Sequence, residues 1–162
     1  MRSYWHIKCF NKAGELLWEE KDKPNIIHND GEKAILSAYF ATAQSGYGAP
    51  PANLYIGLRS GSLVDTDLLS TITEVTGSGY ARIAVSTTTG FTLSLVSSNW
   101  QALSSTVTFT AAGTWTAATA LFLCTASSGT SGNLISSVAL AATRTLGVGD
   151  VIQASCFVTL SG

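Results

Sequence analysis

TEVTGSGYARIAV, residues 73–85, changes character in the middle. A polar approach passes through Gly77-Ser78-Gly79 and then alternates, with Tyr80, Arg82 and Ala84 set against Ala81, Ile83 and Val85. Successive strand side chains point to opposite faces, so this pattern predicts a glycine turn feeding a half-buried strand over Tyr80–Ser86.

The pattern repeats downstream. Short apolar runs at Phe91–Val96, Val107–Phe109, Ala120–Thr125, Leu134–Leu140 and Val151–Leu160 are separated by Gly/Ser/Asn stretches such as Ser127–Asn133 and Gly147–Asp150. Trp100 falls between two of these runs and reads as a loop residue. Ala120–Thr125 is almost continuously apolar, which suits a strand buried on both faces. Leu54–Leu58 adds a strand upstream, followed by a long connection from Arg59 to Thr73, with Asp67 as the N-cap of one helical turn. Strands and turns at this spacing predict a mainly β protein, with a β-sandwich or jelly-roll-like body.

The N-terminal region differs. Tyr4–Phe10 alternates, with Trp5, Ile7 and Cys9 on one face; Asn11–Glu15 is a turn signal, and Leu16–Glu20 returns, giving a β-hairpin that Pro24 ends. Asn29-Asp30-Gly31-Glu32 has capping-box spacing, and its acids complement the positive end of a helix dipole. One short α-helix is therefore expected from Asn29 to about Thr42, burying Ile35, Leu36, Tyr39 and Phe40. The chain reads as one domain over 1–162, with a charged hairpin-plus-helix subregion at 1–52 and a Ser/Thr/Gly-rich β body at 53–162.

Charge sharpens that division. Of nine basic and ten acidic residues, twelve lie within the first 33 positions, and beyond Ile83 only Arg144 and Asp150 are charged. Charged residues are 12% of the chain, about half the usual share. A polar but uncharged surface suits packing against protein neighbours, because few charges must be desolvated; an ordinary Ser/Thr-rich surface is the plainer alternative. A net charge of −1 gives no electrostatic footprint for nucleic acid. The apolar runs are too short for a membrane-spanning helix, and the first residues lack a signal peptide's apolar core, so synthesis in the host cytoplasm is expected.

The residue types that carry chemistry are not arranged for it. His6 and His28 have no partner at ligand spacing, and no GxSxG elbow occurs. Asp65 and Asp67 lack the rest of a calcium loop and read instead as a turn carboxylate and an N-cap. Gly77-Ser78-Gly79 precedes no helix that would hold phosphate. Cys9, Cys124 and Cys156 sit in apolar runs as buried free thiols. Trp5, Trp18, Trp100 and Trp115 suit core or interface packing, or a glycan-stacking platform if Trp100 and Trp115 cluster at the surface. No catalytic residue, cofactor or metal site is expected.

The opening YWHIKCFNKAGELLWEE, then Ile26–Glu32, NLYIGL and GSGYARIAV, and finally LFLCTASSGTSGNLISSVAL and GVGDVIQASCFVTL together resemble a family of small β-rich virion proteins of tailed bacteriophages. The resemblance implies a structural virion component, either a capsid decoration (cement) protein or a tail- or head-fibre module binding a receptor or glycan. The absence of a repeat or heptad places decoration first. The resemblance further implies a homotrimer and, as partner, the major capsid protein or another virion protein. The charged hairpin is the expected attachment surface, with Trp5 and Trp18 as anchors and Lys8, Glu19 and Glu20 supplying charge. Alternatively, the hairpin is merely a sandwich edge with solvated charges and core tryptophans.

Overall fold

A computed structural model describes the backbone of residues 2–40, 50–96 and 99–159, with side chains for all of these except residues 2 and 36–40. The chain is mainly β, with a single short helix among the described residues. Among the described residues twelve strands form two six-stranded antiparallel sheets. The first contains β1 (Arg2–Phe10), β2 (Leu16–Pro24), β7 (Phe91–Val96), β8 (Asn99–Ser104), β9 (Val107–Thr110) and β12 (Val151–Thr159), in the order β2-β1-β12-β8-β7 with β9 also on β12. The second contains β3 (Ile26–Ile27), β4 (Asn53–Ser60), β5 (Thr73–Glu74), β6 (Ile83–Ser86), β10 (Ala118–Cys124) and β11 (Leu134–Arg144), in the order β3-β11-β10-β4-β5 with β6 also on β4. The charge boundary near residue 52 does not divide the sheets, because β1 pairs with β12 and β3 with β11.

The core lies between the inner faces. Trp5, Ile7, Cys9, Ile152, Ala154 and Cys156 come from the first sheet; Ile56, Leu58, Leu121, Leu123 and Val138 come from the second. β10 is buried on both sides, as its composition predicts. Its outer residues Phe122 and Cys124 join Leu134 and, from the 61–72 connection, Leu69 in a second apolar cluster. All three cysteines are free and buried, and burial pushes the Cys156 thiol up to about 11. Leu134–Arg144 is longer than the run predicted for it, and Ala118–Cys124 begins earlier.

Residues 73–85 depart from their prediction. The strand begins only at Ile83, and Tyr80–Arg82 belong to a strap. β5 and β6 pair with opposite ends of the same side of β4, at Arg59–Ser60 and Asn53–Ile56. The Tyr80 hydroxyl fills the gap between them. It accepts from Leu58 N–H at 2.8 Å, and its proton is shared between Glu74 Oε1 at 2.7 Å and the Leu58 carbonyl at 3.1 Å. Arg82 holds Glu74 through Nε and Nη2, at 2.9 and 2.8 Å, and reaches the carbonyls of Ala126 and Gly129. The glycines have a packing reason as well. A Cβ on Gly77 would lie 2.2 Å from the Trp115 ring, whose Nε1–H donates to the Ser78 carbonyl at 2.8 Å.

The helix α1 (Asn29–Phe40) guards the β11 side of the second sheet. It begins at Asn29 as expected, but the cap position falls on His28, whose carbonyl accepts the Glu32 N–H. Asp30 instead accepts from Leu134 N–H and Asn133 Nδ2. Gly31 allows this close seat, because a Cβ there would stand 2.2 Å from the Ile135 carbonyl oxygen. Ile35 packs against the core, whereas the predicted burial of Leu36, Tyr39 and Phe40 and the helix end at Thr42 fall outside the described side chains and residues. Asp67 is no N-cap: its Oδ2 takes Arg59 Nη1 at 2.8 Å and Val64 N–H at 3.2 Å.

Candidate interaction surfaces

The first sheet ends in two edge strands of very different chemistry. β2, LLWEEKDKP, carries five charged residues and a terminal proline, and its pairing with β1 has two register irregularities. Charges, proline and bulges are the devices that keep an edge from recruiting another strand. On its outer face Glu19 gathers His6 Nε2 at 2.9 Å, Lys8 Nζ at 3.2 Å and Lys21 Nζ at 3.3 Å. The His6 hydrogen bond, followed by those of the two lysines, holds the Glu19 carboxyl at about 2. Glu20 faces the other way. Its Oε1 accepts from Ala141 N–H at 2.8 Å, its Oε2 meets Lys23 at 3.1 Å, and Arg144, 3.8 Å from Oε1, lies over the Trp18 ring.

The residues expected to form one attachment surface are therefore divided. Lys8 and Glu19 stand together on the outer face. Glu20 is buried in a link between β2 and β11, and Trp18 is half-buried beneath Arg144. Trp5 is fully buried in the core and offers no anchor, a correction that follows from its place on the inner face of a central strand. The glycan-platform condition also fails: Trp115 is 1% exposed and sits under Tyr80, while Trp100 is 59% exposed elsewhere.

Trp100 is not in a loop. It lies in β8, directly opposite Leu95 of β7, and the next pair on the same face is Leu93 with Ala102. Directly opposed residues project to one side, and this side is the core side of the sheet, because Ala102 pairs with Val158 and Val158 with Ser3. The row at Phe91 and Ser104 is covered; the rows beyond it are not. Leu93 is 68% exposed and Leu95 62%. At the joint between β8 and β9 the ladder breaks, and buried Ser104 Oγ accepts the Cys156 N–H at 2.9 Å.

His28, outside these surfaces, is committed to structure. His28 is wholly buried, with Nε2 2.8 Å from Ser137 Oγ and Nδ1 3.3 Å from the Asp65 carbonyl. The carbonyl can only accept, so Nδ1 carries the proton and Ser137 donates to Nε2. Burial holds the His28 pKa below its ordinary 6.5, even though the Asp65 bond favours the charged form. Among the described residues no group of three or more His, Cys, Asp or Glu side chains is arranged to hold a metal ion, and no helix is long and apolar enough to cross a membrane.

Residues 27–157 match the family described as podophage GP4 fiber I protein gp80. The chain belongs to this family, and with it to the structural virion proteins of tailed phages. The match begins after β2, so the charged strand pair that shared in the sequence resemblance lies outside it. A search of curated proteins gave no match.

Proposed function

We propose, with membership of the fibre family as the premise, that the chain is a non-enzymatic module of a phage fibre that docks on another virion protein through the outer face of its β1–β2 edge. The family match over residues 27–157 carries this reading and moves the fibre ahead of the decoration protein favoured by the absence of repeats. The Lys8, His6, Glu19 and Lys21 cluster supports the docking face: it is charged, ordered by mutual contacts, and lies outside the matched residues, where a partner-specific surface belongs. Exposed ion pairs add little affinity but set orientation and choice of partner.

The test is to dissociate particles and ask which subassembly retains the chain. Recovery with tail or fibre components, lost on Lys8→Glu with Lys21→Glu in a folded protein, is expected. Recovery on the emptied shell with no fibre component present would overturn the fibre reading in favour of shell decoration. Retention unaffected by the charge reversals would overturn the docking face.

A further inference from the structure

We infer that the connection between β4 and β5, residues 61–72, is an acid-operated lid: when His28 takes up a proton, the connection lifts off the outer face of the second sheet and uncovers Phe122, Cys124 and Leu134. His28 is the bolt. Its ring stands between two bodies of unequal strength, with Nε2 on Ser137 of β11 and Nδ1 on the Asp65 carbonyl of the connection. That carbonyl also accepts the Asn29 N–H at 3.1 Å, so one oxygen holds both the ring and the helix start. β11 is paired with β3 and β10 and cannot yield without breaking the sheet. Residues 61–72 contain no strand, and Leu69 alone among them is buried. The segment that closes Nδ1 from water is thus the one that seats Leu69 against the Phe122, Cys124 and Leu134 cluster.

A proton on Nε2 has no good place in the closed form. Ser137 Oγ donates to that nitrogen at 2.8 Å and would have to give up its donor role. The imidazolium would also be cut off from water. The charges around the ring do not rescue it. The connection brings the Asp67 carboxylate, but this is already paired at 2.8 Å with Arg59 of β4, whose guanidinium opposes the proton. The Asp65 side chain and, on α1, Glu32 and Lys33 are exposed, while Asp30 is turned to Leu134 N–H and Asn133. β11 contributes only the neutral Ser137. Water therefore reaches the imidazolium on the Nδ1 side, once the Asp65 carbonyl moves away. Asp67 does not open the lid in mild acid: against its desolvation, the Arg59 hydrogen bond holds its carboxyl below the ordinary 3.8. His28 is the group of this latch that changes charge in that range.

Hydrogen exchange of the full chain, corrected for the intrinsic pH dependence of amide exchange, tests the lid. The reporters are the N–H groups of Asp67, Thr71 and Ile72, bonded within the connection, and of Asn29, bonded to it. Below pH 6.5 their protection is expected to fall about tenfold per pH unit, the slope of one proton, while the β4–β10 ladder stays protected. His28→Asn should hold the reporters at one level across the same range. Equal loss in the ladder would mean that the whole molecule opens, and would overturn the lid. Reporters indifferent to pH, or a variant that keeps the slope, would overturn it too. If the variant does not fold, the unmodified protein decides. The chain has two histidines, so NMR of the imidazole protons reads His28 directly, and the loss of protection must level off at its titration midpoint in the folded protein. Levelling at any other pH refutes the inference.

Discussion

β2 and β7 close the two ends of one sheet, yet only β2 is built as an end. β2 has alternating charges, a proline and an irregular register, and β7 has none of them. The second sheet is guarded by other means: short terminal strands, the helix beside β11, and the strap whose tyrosine occupies the gap along β4. The boundaries at β2, beside β11 and across the gap along β4 are thus finished against further pairing, and the one at β7 is left apolar. The difference teaches that an exposed edge is a choice made locally, because both kinds occur within one sheet of one chain.

Breaking a finished boundary should cost stability, whereas changing the unfinished one should not. The largest loss is expected for Gly31→Ala, which forces the helix off the Ile135 backbone; overpacking of this kind costs about 3 kcal/mol. Chemical denaturation monitored by circular dichroism measures it. Tyr80→Phe comes next. It keeps the ring between Phe109 and Trp115 but leaves the Leu58 N–H without its acceptor, for about 2 kcal/mol in the same assay.

The third prediction concerns pH. Because the folded His28 pKa lies below the ordinary 6.5, the unfolded chain binds more protons in that window. Stability contributed by neutral His28 is complete above 6.5 and falls as pH drops toward the folded value. The thermal midpoint should therefore decline on acidification below 6.5, and His28→Asn should flatten that part of the profile. A profile equally steep in the variant would assign the decline to other groups. The smallest effect is expected for Leu93→Thr with Leu95→Thr in dilute, monomeric protein, within about 0.5 kcal/mol of wild type. A large loss there would show that the patch belongs to the protomer's own core.

Alternation revealed most of the fold because it reports which side of a strand is buried. It located the Tyr4–Phe10 strand with Trp5, Ile7 and Cys9 inward and the inward Ile152, Ala154 and Cys156 of the final described strand, while the unbroken apolar run Ala120–Thr125 pointed to the double-sided burial seen over Ala118–Cys124. Alternation misread Tyr80–Arg82, where a buried ring and a pinned guanidinium mimic strand periodicity while serving side-chain hydrogen bonds. The interaction surfaces were harder to see. Trp5 and Trp18 carry the same indole, and only the pairing of β1 between β2 and β12 makes one of them core. Leu93, Leu95 and Trp100 have a core-facing pattern. Whether another layer lies above them depends on where the second sheet stops, a long-range fact that no local spacing encodes. A weaker signal was present: an uncharged run of alternating residues followed closely by a tryptophan.

The pairing of β1 with β12 joins Arg2 to Thr159 and Phe10 to Val151, and its consequence lies in time. During synthesis the first strand emerges long before its central neighbour exists. The β1–β2 hairpin can form early, but Trp5, Ile7 and Cys9 have no completed sheet to lie in until the last strand arrives. Contacts between sequence-distant strands are the slow ones in folding, and a half-made sheet exposes both apolar surface and an unpaired edge. β1 therefore waits, paired only with β2, until β12 has been made and can take its place beside it.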